Sequence, residues 1–320
     1  MQSNLTQKRK EILDGLSLST LLDMKIVAAV ITLFTWIGFG NGESPVLFLE
    51  PNCGVPISSI SAESGKIING READMFGNPW MALISSATIM CGGSLITSRF
   101  VLSAAHCRFN SPTNAYLGEF DRSTLTDCST TACMPNAIRV PVDAQIAHPS
   151  FVHHSQNDIA LFRLAIPVQY TAHIKPICLL TNYNPLNYIR FLTATGWGKT
   201  EHGESSQILR TATLTQVDRA YCSSTYGNRV DESHICAGDY TAHTCMGDSG
   251  GPVFAKIPIG ATDRVVQFGI VSYGSRDCSQ VGVYTNVMYH INWIAEVVRQ
   301  GGPQLTDGRI YYYTPWFYYA

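Results

Sequence analysis

The chain has 320 residues, and its 22 Lys and Arg residues against 24 Asp and Glu residues give a net charge of -2 at pH 7. A hydrophobic share of 45% excludes a disordered, collagen-like or coiled-coil protein. The charge balance excludes the basic surface that a nucleic-acid-binding protein needs. The 10 cysteines lack the paired spacing of zinc knuckles, which favours disulfides formed in an oxidising compartment.

An apolar run near the N-terminus has the features of an export signal. Lys25 precedes the run from Ile26 to Phe39, and small residues follow it. The run is about 14 residues long, whereas a membrane-spanning helix needs roughly 20. We therefore predict a signal peptide over residues 24–42, preceded by an extension, residues 1–23, that suggests an upstream start codon. The alternative is a signal anchor with the extension in the cytosol.

The rest of the chain divides into three parts by composition. Residues 43–66 contain several prolines and serines and one cysteine, Cys53, which predicts a pro-segment rather than a domain. Residues 67–299 carry short apolar segments separated by Gly, Pro, Asn and Asp, which is typical of an all-β domain. Residues 300–320 form an aromatic-rich tail, which we interpret as a segment folded on an apolar surface patch rather than a partner-binding peptide.

Strands are predicted along most of the domain and one helix at its end. The clearest strand segments are Trp80 to Ile84, Gly93 to Thr97, Ile159 to Leu164 and Val265 to Val271. Apolar residues at helical spacing predict a single amphipathic helix from His290 to Val298. The sequence therefore predicts an all-β fold with a C-terminal helix.

Three short blocks carry residues suited to nucleophilic chemistry. Gly247 to Pro252, with the sequence Gly-Asp-Ser-Gly-Gly-Pro, predicts a tight turn that presents Ser249 beside backbone N–H groups. Ser-Ala-Ala-His-Cys supplies His106 next to a cysteine. Asn-Asp-Ile-Ala-Leu supplies Asp158 at the start of an apolar strand, where a buried acid needs a partner. The order His, Asp, Ser is one of those in which unrelated folds build a catalytic triad.

Together these blocks resemble the chymotrypsin family (S1) of serine proteases across residues 67–298, and the linker resembles that of secreted arthropod zymogens, here without a clip domain. The resemblance implies two packed six-stranded antiparallel Greek-key barrels with the triad in the cleft between them. It also implies a serine endopeptidase in which Ser249 is the nucleophile, His106 the general base and Asp158 the group that orients the imidazole. The N–H groups of Gly247 and Ser249 would bind the oxyanion.

Lys66-Ile-Ile-Asn-Gly resembles the activation site of this family. Cleavage after Lys66 would free the α-amino group of Ile67, which would pair with the carboxylate of Asp248 and fix the oxyanion hole. The resemblance therefore implies a zymogen that an upstream trypsin-like protease activates and that a serpin-type inhibitor controls. Protein or peptide substrates and an extracellular location follow from the same resemblance.

The resemblance also implies how the cysteines pair. Leu192 and Ala255 stand at the two positions of one further family bridge, so both halves of that bridge are absent together. The expected pairs are Cys53 with Cys178, Cys91 with Cys107, Cys128 with Cys133, Cys222 with Cys236, and Cys245 with Cys278.

The substrate pocket departs from the trypsin-like pattern. Trypsin-like members carry an aspartate two residues before the cysteine that precedes the Gly-Asp-Ser-Gly-Gly-Pro segment. That cysteine is Cys245 here, and the position of the aspartate is occupied by His243. Burying the charge of a substrate Arg or Lys without that partner typically costs about 3 to 5 kcal/mol of free energy. We expect a preference for an aromatic or long apolar residue; a protonated His243 would favour a carboxylate, and Asp277 could supply charge from the rim. The predicted pocket residues are His243, Thr244, Met246, Ser272, Tyr273, Gly274 and Gly282.

The remaining polar clusters have simpler interpretations. Glu119, Asp121 and Asp127 could ligate calcium, but three acids in one loop are more simply solvated, and we expect no metal or cofactor. His153 and His154 precede the candidate triad acid without supporting context and are interpreted as solvent-loop residues. The competing function is a catalytically silent homologue that binds partners without cutting them.

Overall fold

The structure is a computed structural model that describes residues 46–56, 71–87, 89–200, 204–227, 230–238 and 244–301, together with the backbone of two short strands beyond them. The chain divides into two units, Met1–Pro45 and Val46–Ala320, and only the second contains described residues. The predicted signal peptide, the activation site at Lys66 and Ile67, the pocket residue His243 and the aromatic residues of the tail from Tyr311 onward all lie outside the described residues.

The first barrel follows a short edge strand, β1 (Arg71–Glu72), and closes six antiparallel strands on themselves in the order β2-β3-β4-β7-β6-β5. Its centre is apolar because β4 and β7 are buried along their whole length, and Trp80, just before β2, is also buried. Its strands are β2 (Met81–Ser85), β3 (Met90–Thr97), β4 (Phe100–Ser103), β5 (Asn114–Leu117), β6 (Ile138–Ala147) and β7 (Ala160–Leu164).

The second barrel has the strand order β9-β10-β13-β12-β11-β8, and β8 pairs back with β9 to close it, while β1 pairs with the outer edge of β9. The predicted fold class, two six-stranded antiparallel barrels, is confirmed. The strands of the second barrel are β8 (Phe191–Gly196), β9 (Arg210–Gln216), β10 (His234–Gly238), β11 (Pro252–Ile259), β12 (Thr262–Tyr273) and β13 (Gly282–Asn286).

The barrels meet along β3 of the first and β11 and β12 of the second. The hydroxyl of Ser94 donates to Gln267 Oε1 at 2.6 Å, and both side chains are fully buried. The rings of Trp80 and Phe254 pack edge to face with centroids 5.5 Å apart. This seam fixes the position of one barrel against the other, so side chains from both can meet in the cleft.

Two helices are described, and the sequence predicted one of them. Helix α2 (Ile291–Arg299) matches the predicted C-terminal helix within one residue at each end. Helix α1 (Arg219–Tyr226) was missed, because it buries only Cys222 and so has almost no apolar period. Its signal lies in its ends, where Asp218 accepts the N–H of Ala220 and Gly227 takes a φ of 66°.

Five disulfides join the described chain, and they are the five pairs that the resemblance implied. Cys53–Cys178 attaches residues 46–56 to the barrels, and Gly54 and Leu49 in that segment donate to carbonyls of Pro176 and Leu179 at 2.8 and 3.0 Å. The other pairs are Cys91–Cys107, Cys128–Cys133, Cys222–Cys236 and Cys245–Cys278. Beyond these, two further strands, β14 (Leu305–Thr306) and β15 (Arg309–Ile310), pair with each other.

Candidate active site

His106 lies where the chain leaves β4 of the first barrel. It sits in a 3-10 turn, Ala105–Cys107, and the disulfide from Cys107 to Cys91 ties that turn to β3. Only 15% of the His106 side chain is exposed, and Nδ1 lies 2.7 Å from Asp158 Oδ2. Because the ionised carboxylate accepts from Nδ1–H, Nε2 is left as the nitrogen that can accept a proton.

Asp158 is buried and receives hydrogen bonds from both barrels. Its Oδ1 accepts the backbone N–H of His106 at 2.9 Å, and its Oδ2 accepts the hydroxyl of Ser272 at 2.6 Å. The hydroxyl of Thr285 donates to its backbone carbonyl at 2.8 Å. Burial raises the pKa of Asp158, but the hydrogen bonds from His106 and Ser272 outweigh it and hold the pKa below its usual value. The carboxylate is therefore ionised at neutral pH.

Ser272 was predicted as a pocket residue, and the structure commits its hydroxyl to Asp158 and to the carbonyl of His154 at 3.1 Å. It comes from β12 of the second barrel, so the orientation of the acid depends on both barrels. Sequence reasoning missed this role, and that of Thr285, because the packing of one barrel against the other sets both contacts.

His154 lies on an exposed turn, as interpreted, but it also contacts the candidate triad. Its ring lies against that of His106, with centroids 4.5 Å apart, and its Nδ1 is 4.0 Å from Asp158 Oδ2. Partial burial lowers the pKa of His154, and the nearby imidazole of His106 lowers it further. His153 is exposed, and its Nδ1 contacts the hydroxyl of Ser155 at 2.9 Å instead. The contact of His154 depends on the path of the loop before β7, which the sequence did not indicate.

Ser249 sits on the glycine-rich turn that leads into β11. Gly247 and Gly250 take φ values of 101° and 78°, in the region that side chains rarely adopt. A Cβ at Gly250 would lie 2.1 Å from the Ser103 hydroxyl, and the carbonyl of Ser249 accepts the N–H of Gly92 at 2.8 Å. The turn therefore packs on the segment of the first barrel that leads into His106. Within the described residues, the Ser249 hydroxyl has no hydrogen-bond partner.

The backbone of this turn leaves two donors unused. The N–H groups of Asp248, Gly250 and Gly251 donate to carbonyls at 2.9 to 3.0 Å. Among the described residues, those of Gly247 and Ser249 donate to no backbone carbonyl. Unpaired donors beside a nucleophile are what an oxyanion hole requires.

The carboxyl group of Asp248 is enclosed by backbone. Its two oxygens accept the N–H groups of Gly198 at 2.8 Å and Cys245 at 2.9 Å. A Cβ at Gly196 would lie 2.2 Å from Oδ1, so the neighbouring strand end must be glycine for the carboxyl group to fit. Burial raises the pKa of Asp248 to about 6, against the lowering effect of the two N–H bonds. No cation lies beside it in the part of the chain that the structure describes.

The candidate substrate pocket is described except for His243. The Thr244 hydroxyl lies 3.0 Å from the phenol oxygen of Tyr284, a fully buried residue whose pKa burial raises. A Cβ at Gly274 would lie in ordinary contact with Gly282 Cα at 3.8 Å, so these two glycines approach each other without side chains between them. Gly282 is buried, Tyr273 is half-buried and Met246 is 51% exposed.

Asp277, the predicted rim acid, is fully exposed, and its carboxylate accepts the hydroxyl of Ser279 at 2.7 Å. Hydrogen bonds from Ser279 and Ser275 lower its pKa, so it is ionised at neutral pH. An exposed and hydrogen-bonded carboxylate interacts weakly with a distant charge, because water screens it.

The acidic loop that follows β5 is organised by Asp127. The Asp127 carboxylate accepts the N–H groups of Phe120 and Asp121, each at 3.2 Å, and the hydroxyl of Thr124 at 2.6 Å. Burial is the main cause that raises the pKa of Glu119, and the negative charge of Asp127 raises it further. These contacts give Asp127 a structural role in the loop.

Comparison with known proteins gives the family. Residues 67–294 match the family model described as Trypsin. The chain belongs to the trypsin family of serine proteases. It is a serine-type endopeptidase by family, as predicted, and two curated relatives and one solved structure illustrate the likeness.

Two similar trypsin-family proteins come from insects. The chain is 35% identical over 261 residues to Serine protease grass of Drosophila melanogaster, across 75% of this chain and 69% of that protein. It is 35% identical over 259 residues to Phenoloxidase-activating factor 3 of Holotrichia diomphalia, across 73% of each. The crystal structure of the Drosophila Grass clip serine protease of the Toll pathway has a TM-score of 0.68 and 34% identity, covering 78% of this chain and 75% of that chain.

Within the described residues, no helix has the length and apolar character needed to cross a membrane.

Proposed function

We propose that this trypsin-family protein is a secreted serine endopeptidase that cleaves peptide bonds through an acyl-enzyme. The observation that carries the proposal is the 2.7 Å contact between His106 Nδ1 and Asp158 Oδ2, made by a buried and ionised carboxylate. This contact leaves Nε2 of His106 as the proton acceptor beside the turn that bears Ser249.

The proposed reaction uses groups of this chain alone. His106 Nε2 takes the proton of the Ser249 hydroxyl while Oγ bonds to the carbonyl carbon of the substrate, and the oxyanion receives the N–H groups of Gly247 and Ser249. The C–N bond then breaks as His106 returns the proton to the leaving amine. Water, deprotonated by His106, attacks the acyl-enzyme, and the proton passes back to Ser249 as the acid leaves. Asp158 stabilises the imidazolium at each transfer.

Activation is proposed to depend on Asp248. Its carboxyl group is buried with two N–H donors and no described cation, a costly arrangement for an anion. The α-amino group that cleavage after Lys66 creates at Ile67 would supply that cation. The uncut chain, residues 43–66 included, is then a zymogen, and the Cys53–Cys178 bridge would keep the pro-segment attached after the cut.

The proposed specificity differs from that of trypsin because His243 replaces the aspartate at the floor of the pocket. The absence of side chains at Gly274 and Gly282 and the exposed, screened position of Asp277 support an uncharged residue as the preferred substrate side chain. We expect cleavage after aromatic or long apolar residues.

The proposed setting is extracellular. The apolar run within residues 24–42 is proposed as a cleaved signal peptide, and the disulfides require an oxidising compartment. The similarity to a protein named as a phenoloxidase-activating factor supports a protein as the substrate. A trypsin-like activator and a serpin-type inhibitor are proposed from the family resemblance alone.

The test is covalent labelling of Ser249. We expect a fluorophosphonate probe to label the chain after cleavage at Lys66, and to label neither the Lys66→Gln variant treated with the same activator nor a cleaved Ser249→Ala variant. A cleaved wild-type chain that stays unlabelled would identify a catalytically silent homologue. Equal labelling of Lys66→Gln would show that this cut is not the switch.

Specificity is tested with the activated enzyme on a peptide library. We expect the strongest cleavage after Phe, Tyr, Leu or Met, and an increase of at least about tenfold in cleavage after Arg in a His243→Asp variant, since a buried partner for Arg typically stabilises by several kcal/mol. A dominant preference for Arg in the wild type would contradict the proposed pocket. The exposed Asp277→Asn variant is the matched control and should leave the profile unchanged.

A further inference from the structure

Three groups that bind metal ions meet at the edge of the candidate triad. One ligand atom from each of His106, His154 and Asp158 lies within 4.8 Å of the other two. The two rings have centroids 4.5 Å apart and planes tilted by 55°. The other such group in the described chain, Cys91, His106 and Cys107, offers no thiolates because its cysteines form a disulfide.

The geometry suits a tetrahedral ion after a small movement. Bonds of about 2.0 to 2.1 Å to nitrogen and oxygen put the ligand atoms of a tetrahedral zinc site about 3.3 Å apart. The distance from His154 Nδ1 to Asp158 Oδ2 is 4.0 Å and that from His106 Nδ1 to Asp158 Oδ2 is 2.7 Å, so the first must close and the second must open, each by less than about 1 Å. His154 makes the inward movement, and the imidazole of His106 draws back slightly from Asp158.

His154 is able to make this movement. Its side chain is 57% exposed, and within the described chain its ring makes no hydrogen bond that would have to break. Neighbouring His153 differs, because its Nδ1 contacts the hydroxyl and N–H of Ser155. Only one histidine of this pair is therefore directed at the triad.

We propose that His106, His154 and Asp158 form an inhibitory binding site for Zn²⁺, with water in the fourth position. Two imidazoles and one carboxylate are a ligand set that zinc accepts in proteins, whereas calcium needs six to eight oxygen ligands. The side chain of His154 has no other role in the proposed reaction.

Zinc at this site would stop hydrolysis through Nδ1 of His106, the nitrogen that faces Asp158 Oδ2 at 2.7 Å. An ion on Nδ1 replaces the hydrogen bond to Asp158 that sets the tautomer. This inhibitory half of the inference rests on the proposed function, whereas the binding half does not.

Binding is tested on the full chain in a Ser249→Ala background, which prevents self-cleavage. Titration calorimetry with zinc chloride should give one site, and His154→Gln should weaken its affinity by at least about tenfold. The matched control is His153→Gln, an exposed histidine next in sequence, which should retain the wild-type affinity. Circular dichroism checks that each variant is folded. Equal affinity in His154→Gln and the parent chain would overturn the site.

Inhibition is tested on the chain cleaved after Lys66, with each variant measured against its own rate without metal. Zinc should inhibit the wild type and His153→Gln alike, the half-inhibitory concentration should rise at least about tenfold in His154→Gln, and calcium at equal concentration should not inhibit. Binding without inhibition would overturn the inhibitory role. A cleaved chain that hydrolyses nothing would contradict the proposed function, and the calorimetry would still decide whether the zinc site exists.

Discussion

Two buried aspartates on opposite sides of the cleft differ in how the fold satisfies them. Asp158 receives the imidazole and N–H of His106 and the hydroxyl of Ser272, and its pKa lies below the usual value. Asp248 receives two backbone N–H groups only, and burial raises its pKa to about 6. The fold thus stabilises the charge on one acid and leaves the other without a described cation.

This difference separates preformed from conditional parts of the site. The acid–base pair of His106 and Asp158 is complete in the chain as folded. Asp248 lies in the turn that carries Ser249, and its carboxylate needs a cation from another part of the chain. Activation of such a protease is therefore expected to act on the oxyanion turn, because the acid–base pair is already in place.

The largest predicted effect concerns the satisfied acid. Asp158→Asn should lower kcat of the cleaved enzyme by about 10⁴-fold, because an amide cannot hold the imidazole in the required tautomer or stabilise its charge. Steady-state kinetics on a peptide substrate measure the loss. Asp263→Asn, at an exposed acid paired with Lys256, is the control and should keep the wild-type rate. A loss of less than tenfold in Asp158→Asn would mean that the 2.7 Å contact does not serve catalysis.

The second prediction concerns the unsatisfied acid and its pH dependence. An acid whose folded pKa is raised from 3.8 to about 6 binds more protons in the folded state, so its contribution to stability is lost as pH rises across that window. The uncut chain should lose up to about 3 kcal/mol of unfolding free energy between pH 4 and pH 6 through this group. The cut chain should not, because the new α-amino group pairs with the carboxylate.

Urea unfolding of cut and uncut chains in the Ser249→Ala background checks this prediction. The stability difference in favour of the cut chain should grow from pH 4 to pH 6. Parallel pH profiles for the two forms would contradict the pairing of Ile67 with Asp248.

The smallest predicted effect tests the contribution of the second barrel to Asp158. Ser272→Ala removes a hydrogen bond to a buried carboxylate and should lower kcat about tenfold with little change in KM. Ser279→Ala, on the exposed loop beside Asp277, is the matched control. A rise in KM with unchanged kcat would instead assign Ser272 to the substrate pocket.

The fold and the candidate triad could be predicted from the sequence because a few short blocks resemble a known family. Short blocks around His106, Asp158 and Ser249 carry a resemblance that brings the barrels, the strand segments and the disulfide pairs with it. Helix α1 escaped because a short, exposed helix leaves little apolar pattern. The roles of Ser272 and His154 escaped because both are tertiary contacts: one crosses between barrels, and the other depends on a loop.

The most direct test of the account is active-site titration of one preparation before and after cleavage at Lys66. An ester that leaves a stable acyl group on Ser249 should release a burst approaching one equivalent per chain in the cut form and almost none in the uncut form. Equal bursts from both forms, or none from the cut form, would contradict a preformed acid–base pair that awaits only the charge partner of Asp248.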